Sequence, residues 1–475
     1  MKPCGPQKLY SRGINVKLYI VAFTDNIDMK FSDAIKSACG LRYMFDTLEL
    51  QSGFSRRILL ESHMMTSPEE ITDAYAKLRI FIGFTAGGLS LRRLKDVLAR
   101  LKDIRGTIDR LAGGDILDDV ALFEIKELCL LSGEAAVLLK DVGAYAGGFP
   151  SLTEALDILD PDKDRLPVFH IYGSYSERLR RLRAQYGANG RDDGPVKAIL
   201  EEEQNVRRSL SERLRPYAPG LMTALTMMAE TDILQAKAAQ ANGEGLAIPA
   251  ISRNGKTVYS GVFHPWVRSM LGDGGGSFQP VEISFGGAPV VIVGANMGGK
   301  TVVLKMIALC QLLFQFGFGV PASSAGIDIK EGISLYIGEE ESPEKGLSAF
   351  GTEIGRIGEI ISSARKGANN LALIDEPART TNPMEGTALV GALLSVMDGK
   401  PGDMLVTTHY SITKGPGKRL LVRGFRDGVM DYSLEAAEGG TVPCEAINIA
   451  QRLGADPEWL GIAREYLLKG DGSVE

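Results

Sequence analysis

The sequence predicts a chain of two architectures, an all-α half of long helices followed by an α/β domain built around a phosphate-binding loop. Three observations carry this. From about residue 67 to 242 apolar residues recur at helical spacing. From about 250 onward, short β-rich runs alternate with helical stretches. Between one such run and one such stretch lies Gly294-Ala-Asn-Met-Gly-Gly299-Lys300-Thr301.

In the first half, Ser67-Pro68-Glu69-Glu70 is a helix start: Ser caps, Pro takes the first helical position, and the acids face the positive end of the dipole. Leu91, Leu94, Val97, Leu98, Leu101, Ile104 and Ile108 keep one helical rhythm, predicting a single long helix. Segments 118–140, 174–187, 195–215 and 218–242 behave alike, separated by loops such as 143–148 and 187–194. Residues 1–43 show no clear period, and a strand or a small cap is expected there.

In the second half the β runs are Thr257–Ser260, Val281–Ser284, Val290–Val293, Ile333–Ile337, Leu371–Ile374 and Met404–Thr407. The intervening helices are expected over 299–314, 351–365 and 385–397. Residues 444–453 and 457–468 read as a terminal helical pair, with Gly454–Pro457 as the turn. The expected domains are an N-terminal extension (1–43), a helical domain (44–245), a nucleotide-binding domain (246–440) and the terminal pair (441–475).

The chemistry follows from three short segments. In the loop, glycines let backbone N–H groups wrap a triphosphate, and the helix N-terminus adds its positive end. Lys300 would reach the β- and γ-phosphates and the Thr301 hydroxyl would ligate Mg²⁺, so ATP or GTP is the expected ligand. The apolar run Leu371–Ile374 ends in Asp375-Glu376. Such an ending places the first acid at the metal and the second where it can polarise the attacking water. His409 follows another β run, where a side chain can reach the γ-phosphate or that water.

Composition sets the outer bounds. The chain has 475 residues, 44% hydrophobic and 24% charged, as in ordinary soluble proteins. A net charge of −6 gives no global attraction to nucleic acid. The cysteines Cys4, Cys39, Cys129, Cys310 and Cys444 are scattered, which fits reduced thiols and no metal cluster. No apolar run approaches the about 18 residues of a membrane span, so a cytoplasmic location is expected.

Taken together, GANMGGKT, LSAFGTE (Leu347–Glu353), LIDEPARTTNPMEG (Leu373–Gly386) and TTHY (Thr407–Tyr410) resemble the ATPase of the MutS family. Val262-Phe-His264-Pro265, the stretch Phe54–Leu78 and the ending Ala463–Leu467 extend the resemblance to about 44–470. It implies a P-loop ATPase domain of the ABC/MutS type preceded by a core and lever domain. It also implies that Gly294, Ala295, Asn296, Met297, Gly298, Gly299, Lys300 and Thr301 hold ATP, and that Thr301 and Asp375 hold Mg²⁺. Glu376 would activate water and His409 would sense the γ-phosphate. Phe278 would stack on adenine, and Ser348 would touch the ATP of the other subunit of a homodimer, or of a pair with a related MutS-like subunit. Arg379 and Thr381 would organise that interface.

Against the family pattern, no mismatch-reading module, DNA-embracing clamp or nuclease extension is apparent in the sequence. The variant D-E-P-A-R-T-T-N-P at 375–383 resembles MutS-like ATPases associated with adenosylcobalamin-dependent aminomutases, of the lysine 5,6-aminomutase reactivase kind. The client expected from it is an aminomutase. The alternatives are DNA, in repair or recombination without mismatch reading, with the arginines at 178, 180, 181 and 183 as candidate phosphate contacts, and a nucleotide-gated structural partner with little turnover.

Overall fold

The computed structural model describes residues 29–85, 88–140, 142–143, 148–189, 193–294, 299–337, 346–412, 415–426, 429–437, 447, 450–451 and 454–470. The chain forms two compact units. One comprises Thr47–Ile248 together with Phe316–Gly319, and the other comprises the residues up to Asp46, Pro249–Gln315 and Val320 onward. Helices α1 (Phe31–Ala34) and α2 (Leu41–Asp46) therefore belong with the second unit, not to a separate extension.

The first unit is all-helical: α3 (Gly53–Glu61), α4 (Pro68–Thr85), α5 (Gly88–Leu98), α6 (Arg105–Gly113), α7 (Asp119–Leu138), α8 (Thr153–Leu159), α9 (Glu177–Asn189), α10 (Asp193–Leu214) and α11 (Ala218–Glu244). The 27-residue α11 is its spine, packing on α3, α4, α6 and α7, with Leu221, Leu225, Met228 and Ala236 among its buried residues. Capping follows from sequence chemistry. The Ser67 hydroxyl accepts from the Glu69 and Glu70 amides at 3.2 and 3.4 Å, and Asp118 accepts from Ala121 N at 2.8 Å. Buried Asp232 of α11 accepts the amides of Gln51 and Ser52 at 3.0 Å each, at the start of α3.

The single helix expected across Leu91–Ile108 is two, α5 and α6, broken at 99–104. Leu101 and Ile104 are still buried, so the apolar rhythm is satisfied without helical continuity. Asp103 makes the break: its carboxylate accepts from the Arg105 amide at 3.3 Å and from its guanidinium at 2.9 Å. A short acidic side chain that bonds local backbone competes with the helix and starts the next one.

Phe316-Gly-Phe-Gly319 is held inside this unit. Lys237 Nζ donates to Phe316 O at 2.6 Å and lies 4.1 Å from the Phe318 ring centroid, while Tyr75 OH donates to Phe318 O at 2.8 Å. A Cβ at 319 would lie 2.9 Å from that of Leu246, so only glycine fits there.

The second unit carries two sheets. The smaller has the order β1 (Ala250–Ile251), β5 (Ser324–Ile327), β2 (Thr257–Val262), β3 (Val281–Phe285), with α12 (Pro265–Asp273) between β2 and β3. The larger has the order β10 (Val429–Ala436), β9 (Lys418–Arg426), β4 (Val290–Val293), β8 (Asp403–Thr408), β7 (Asn370–Asp375), β6 (Gly332–Ile337). It is parallel except for β10, which runs antiparallel to β9. Strands β4 and β8 are buried throughout, as a parallel sheet covered on both faces requires. One face, including Val291, Ile374 and Val406, packs on α14 (Gly346–Arg365) and α15 (Pro383–Met397). Helix α13 (Lys300–Gln315), nearly all buried, packs on β6, β7 and β8. Residues Pro457–Gly470 form α16; the first helix of the expected terminal pair lies mostly outside the described residues.

Candidate nucleotide site

The site is assembled by strand register. Val293 pairs with Thr408 and Asp375 with Thr407, so the carboxyl ends of β4, β7 and β8 lie side by side. Ligands of open α/β sheets bind at this edge. Gly294, Asp375, Glu376 and His409 are the residues at or just past those ends.

Thr301, in the first turn of α13, donates its hydroxyl to Asp375 Oδ2 at 2.8 Å. The other carboxylate oxygen accepts from Thr407 Oγ1 at 2.5 Å. A hydroxyl and a carboxylate oxygen in contact are the hard-oxygen set that Mg²⁺ takes when phosphates and water supply the remaining ligands. Among the described residues no cluster of three or more His, Cys, Asp or Glu side chains could hold a metal unaided.

Lys300 is buried, yet its ammonium stays beside polar partners: Nζ donates to Gly294 O at 2.9 Å and lies 3.5 Å from Glu376 Oε1. Glu376 Oε2 lies 3.7 Å from the exposed guanidinium of Arg379. The backbone of Glu376 has φ 45, a left-handed conformation costly for a non-glycine residue. It is held by two bonds from its amide, to Thr407 O and Thr407 Oγ1, each 3.1 Å. Thr407 thereby orients both acids of the Asp-Glu pair.

The next turn is fixed as firmly. Ala378, at φ 58, donates its amide to Glu353 Oε1 at 2.8 Å, and its carbonyl accepts from Tyr410 OH at 2.8 Å. Burial pushes the Glu353 carboxyl above its ordinary range, while the Ala378 amide opposes the shift. A Cβ at Gly386 would lie 2.5 Å from the Tyr410 hydroxyl, which accounts for the glycine that ends the segment Leu373–Gly386. Glu353, Thr407 and Tyr410 thus support the site, although the sequence assigned them no role. The signal was present, since all three lie in the quoted segments LSAFGTE and TTHY.

Other expected site residues stand differently. Ala295, Asn296, Met297 and Gly298 lie outside the described residues, as does the side chain of Ser348, whose backbone is in the first turn of α14. Phe278 is half-buried in the connection preceding β3. His409 is half-buried just past β8. Thr381 donates its hydroxyl to Ala378 O at 3.2 Å. In the helical unit the candidate phosphate contacts are already paired. Arg178, Arg180, Arg181 and Arg183 lie within 3.7 Å of Glu202, Glu177, Glu177 and Glu203 respectively. No helix among the described residues is long and apolar enough to cross a membrane.

Comparison with known proteins agrees with this geometry. Residues 290–423 match MutS domain V, a P-loop ATPase domain. Similar curated proteins include the Endonuclease MutS2 of Fusobacterium nucleatum, 29% identical over 285 residues that cover 58% of this chain and 35% of that protein. The Endonuclease MutS2 of Lactiplantibacillus plantarum is 30% identical over 273 residues, 54% of this chain and 33% of that protein. That of Exiguobacterium sibiricum is 30% identical over 295 residues, 58% and 36%. The chain spans about a third of the length of these relatives. Their names give no support to an aminomutase client. Over residues 290–423 the chain is thus similar to the ATPase domain of the MutS family.

Proposed function

We propose that this chain binds and hydrolyses ATP as a dimeric MutS-type ATPase, and that the closure driven by ATP acts on DNA. The observation that carries the ATPase reading is the Thr301–Asp375 contact at 2.8 Å beside Lys300 and Glu376. Lys300 gives up its ion pair with Glu376 to the β- and γ-phosphates. Thr301 and Asp375 hold Mg²⁺, which when bound neutralises charge on the transferring phosphoryl group. Glu376, freed from Lys300 and fixed by Thr407, accepts the proton of the attacking water. His409 reads the γ-phosphate, Phe278 meets the base, and Ser348 of one protomer reaches the nucleotide of the other.

DNA is favoured as client because the relatives are named Endonuclease MutS2, and an endonuclease acts on nucleic acid. The aminomutase reading retains the support of the D-E-P-A-R-T-T-N-P segment alone. Glu376→Gln separates the two, since it removes the base and leaves the ATP-binding groups in place. The variant is expected to retain ATP, to form a dimer, and to bind duplex or branched DNA with an affinity that falls steeply with salt. A dimer that retains ATP but ignores DNA at low salt overturns the DNA reading and sends the search to a protein client.

A further inference from the structure

The β9–β10 hairpin brings two side chains against the two ends of the phosphate loop. At Gly294 a Cβ would lie 3.2 Å from Val422 Cβ, on β9. At Gly299 it would lie 2.9 Å from Cδ1 and 3.3 Å from Cε1 of Tyr432, on β10. Gly299 has φ +79, the left-handed region open to glycine, so its conformation and its neighbour both exclude a side chain.

Tyr432 reaches this position through a local irregularity. Asp431 pairs with Gly424 but Leu434 pairs with Val422, so three steps along β10 match two along β9. The extra residue is a β-bulge at Tyr432 and Ser433, a device that re-aims a side chain beside a site. Asp431 stabilises the bulge by accepting from Ser433 N at 2.9 Å and Ser433 Oγ at 2.5 Å. Those bonds hold its carboxyl well below the usual carboxylate range.

A second segment locks the bulge. Gln279 donates its amide to Asp431 Oδ1 at 2.8 Å and to Ser433 Oγ at 2.9 Å, and its carbonyl accepts from Tyr432 N at 3.0 Å. One side chain therefore grips three consecutive residues of the bulge. Gln279 directly follows Phe278, the candidate base contact. Tyr432 is still 38% exposed, so burial in a core does not explain its fixed placement.

We propose that Gln279 and Tyr432 are positioning residues of the phosphate loop. Gln279 clamps the bulge, the bulge aims the Tyr432 ring edge at Gly299, and the ring props Gly299 in the turn that presents the Lys300 end of the loop to a triphosphate. This rests on the nucleotide reading above and adds to it two residues that act through Gly299. It also joins the segment carrying Phe278 to the phosphate loop.

The test measures ATP and inorganic tripolyphosphate binding to the full chain with Mg²⁺, together with KM, kcat and a thermal melt. Tyr432→Ala is expected to weaken ATP and tripolyphosphate by the same factor, about tenfold or more, because the loop itself is misplaced. Tyr432→Phe, which keeps the ring edge, should restore both. Gln279→Ala should move both affinities in the same direction by a smaller factor, with the melting temperature near that of the parent. If Tyr432→Ala loses ATP but keeps tripolyphosphate, the ring meets the nucleoside and the positioning role is overturned. Unchanged affinities for both ligands overturn it as well. If the parent chain binds neither ligand, the nucleotide reading itself falls, and the positioning role with it.

Discussion

The large sheet carries a buried lysine at each end, and the two are dressed in opposite ways. Lys330, just before β6, lies at the amino edge. Its ammonium meets Asp403 Oδ2 at 2.7 Å, Asp328 Oδ2 at 2.8 Å and Asn369 Oδ1 at 3.0 Å. Its amide and carbonyl are both bonded to the Gln315 side chain, at 3.2 and 2.7 Å. Lys300, at the carboxyl edge, has the Gly294 carbonyl at 2.9 Å and a looser carboxylate at 3.5 Å. Three oxygens from three segments make Lys330 a joint between strands. The carboxylate of Lys300 stands at 3.5 Å against 2.7 Å for that of Lys330, loose enough to be exchanged for a phosphate. Burial of a lysine is therefore silent about function until the distance to its carboxylate is known.

The sharpest way to break this contrast is to truncate each lysine and read both stability and turnover. Lys330→Ala strands Asp403 and Asp328 at the sheet edge, and Asp403 is already pushed above its usual range by burial despite Lys330. Removing one partner of a buried pair costs about 3–5 kcal/mol, so chemical denaturation should show a loss of that order. A loss under about 1 kcal/mol would mean that water reaches these acids and that the joint is not structural.

Lys300→Ala should do the reverse. ATP turnover is expected to fall by about a hundredfold to a thousandfold, as when one donor to developing charge is removed. Denaturation should move little, because the carboxylate left behind, Glu376, is still served by Arg379 at 3.7 Å. Unimpaired turnover in this variant would sink the ATPase reading, and a collapse of stability would make the two lysines alike.

How much of this could be read from the sequence depends on how local each feature is. The phosphate loop and the Asp375-Glu376 pair are contiguous, and each follows a β-branched or apolar run, so spacing alone locates them. The Lys330 joint was not legible, since Asp328, Asn369 and Asp403 converge only when β6, β7 and β8 align. Hairpin β9–β10 escaped notice for a different reason. Its runs, such as Lys418-Arg-Leu-Leu-Val-Arg-Gly-Phe-Arg426, mix charge into the apolar positions and hide the period of two. Glu353 and Thr407 stood in plain sight within recognised segments, but their work is to hold backbone amides 25 and 31 residues away in the chain. The break at 99–104 was invisible because Leu101 and Ile104 stay buried on either reading.

A third buried lysine, Lys237 of the helical unit, sharpens the comparison, since among the described residues no carboxylate lies within ion-pair distance of it. Lys237 Nζ donates to the Phe316 carbonyl at 2.6 Å and lies 4.1 Å from the Phe318 ring centroid. Burial pulls its ammonium down from 10.5 to about 7. The folded state then binds fewer protons than the unfolded chain between about pH 7 and 10.5. Stability should rise with pH across that window, because the cost of burying the charge is fully present below about 7 and is relieved above it. The slope is at most about 1.4 kcal/mol per pH unit, and cation–π attraction to the Phe318 ring reduces it. Tyrosines and cysteines titrate in the same range, so the informative quantity is the difference between the parent and Lys237→Met. Denaturation of both at pH 7, 8 and 9 should show the parent gaining on the variant at each step. Parallel curves would show that the carbonyl and the ring hold the charge as firmly as carboxylates hold Lys330, and the presence of a close carboxylate would then cease to separate Lys237 from Lys330.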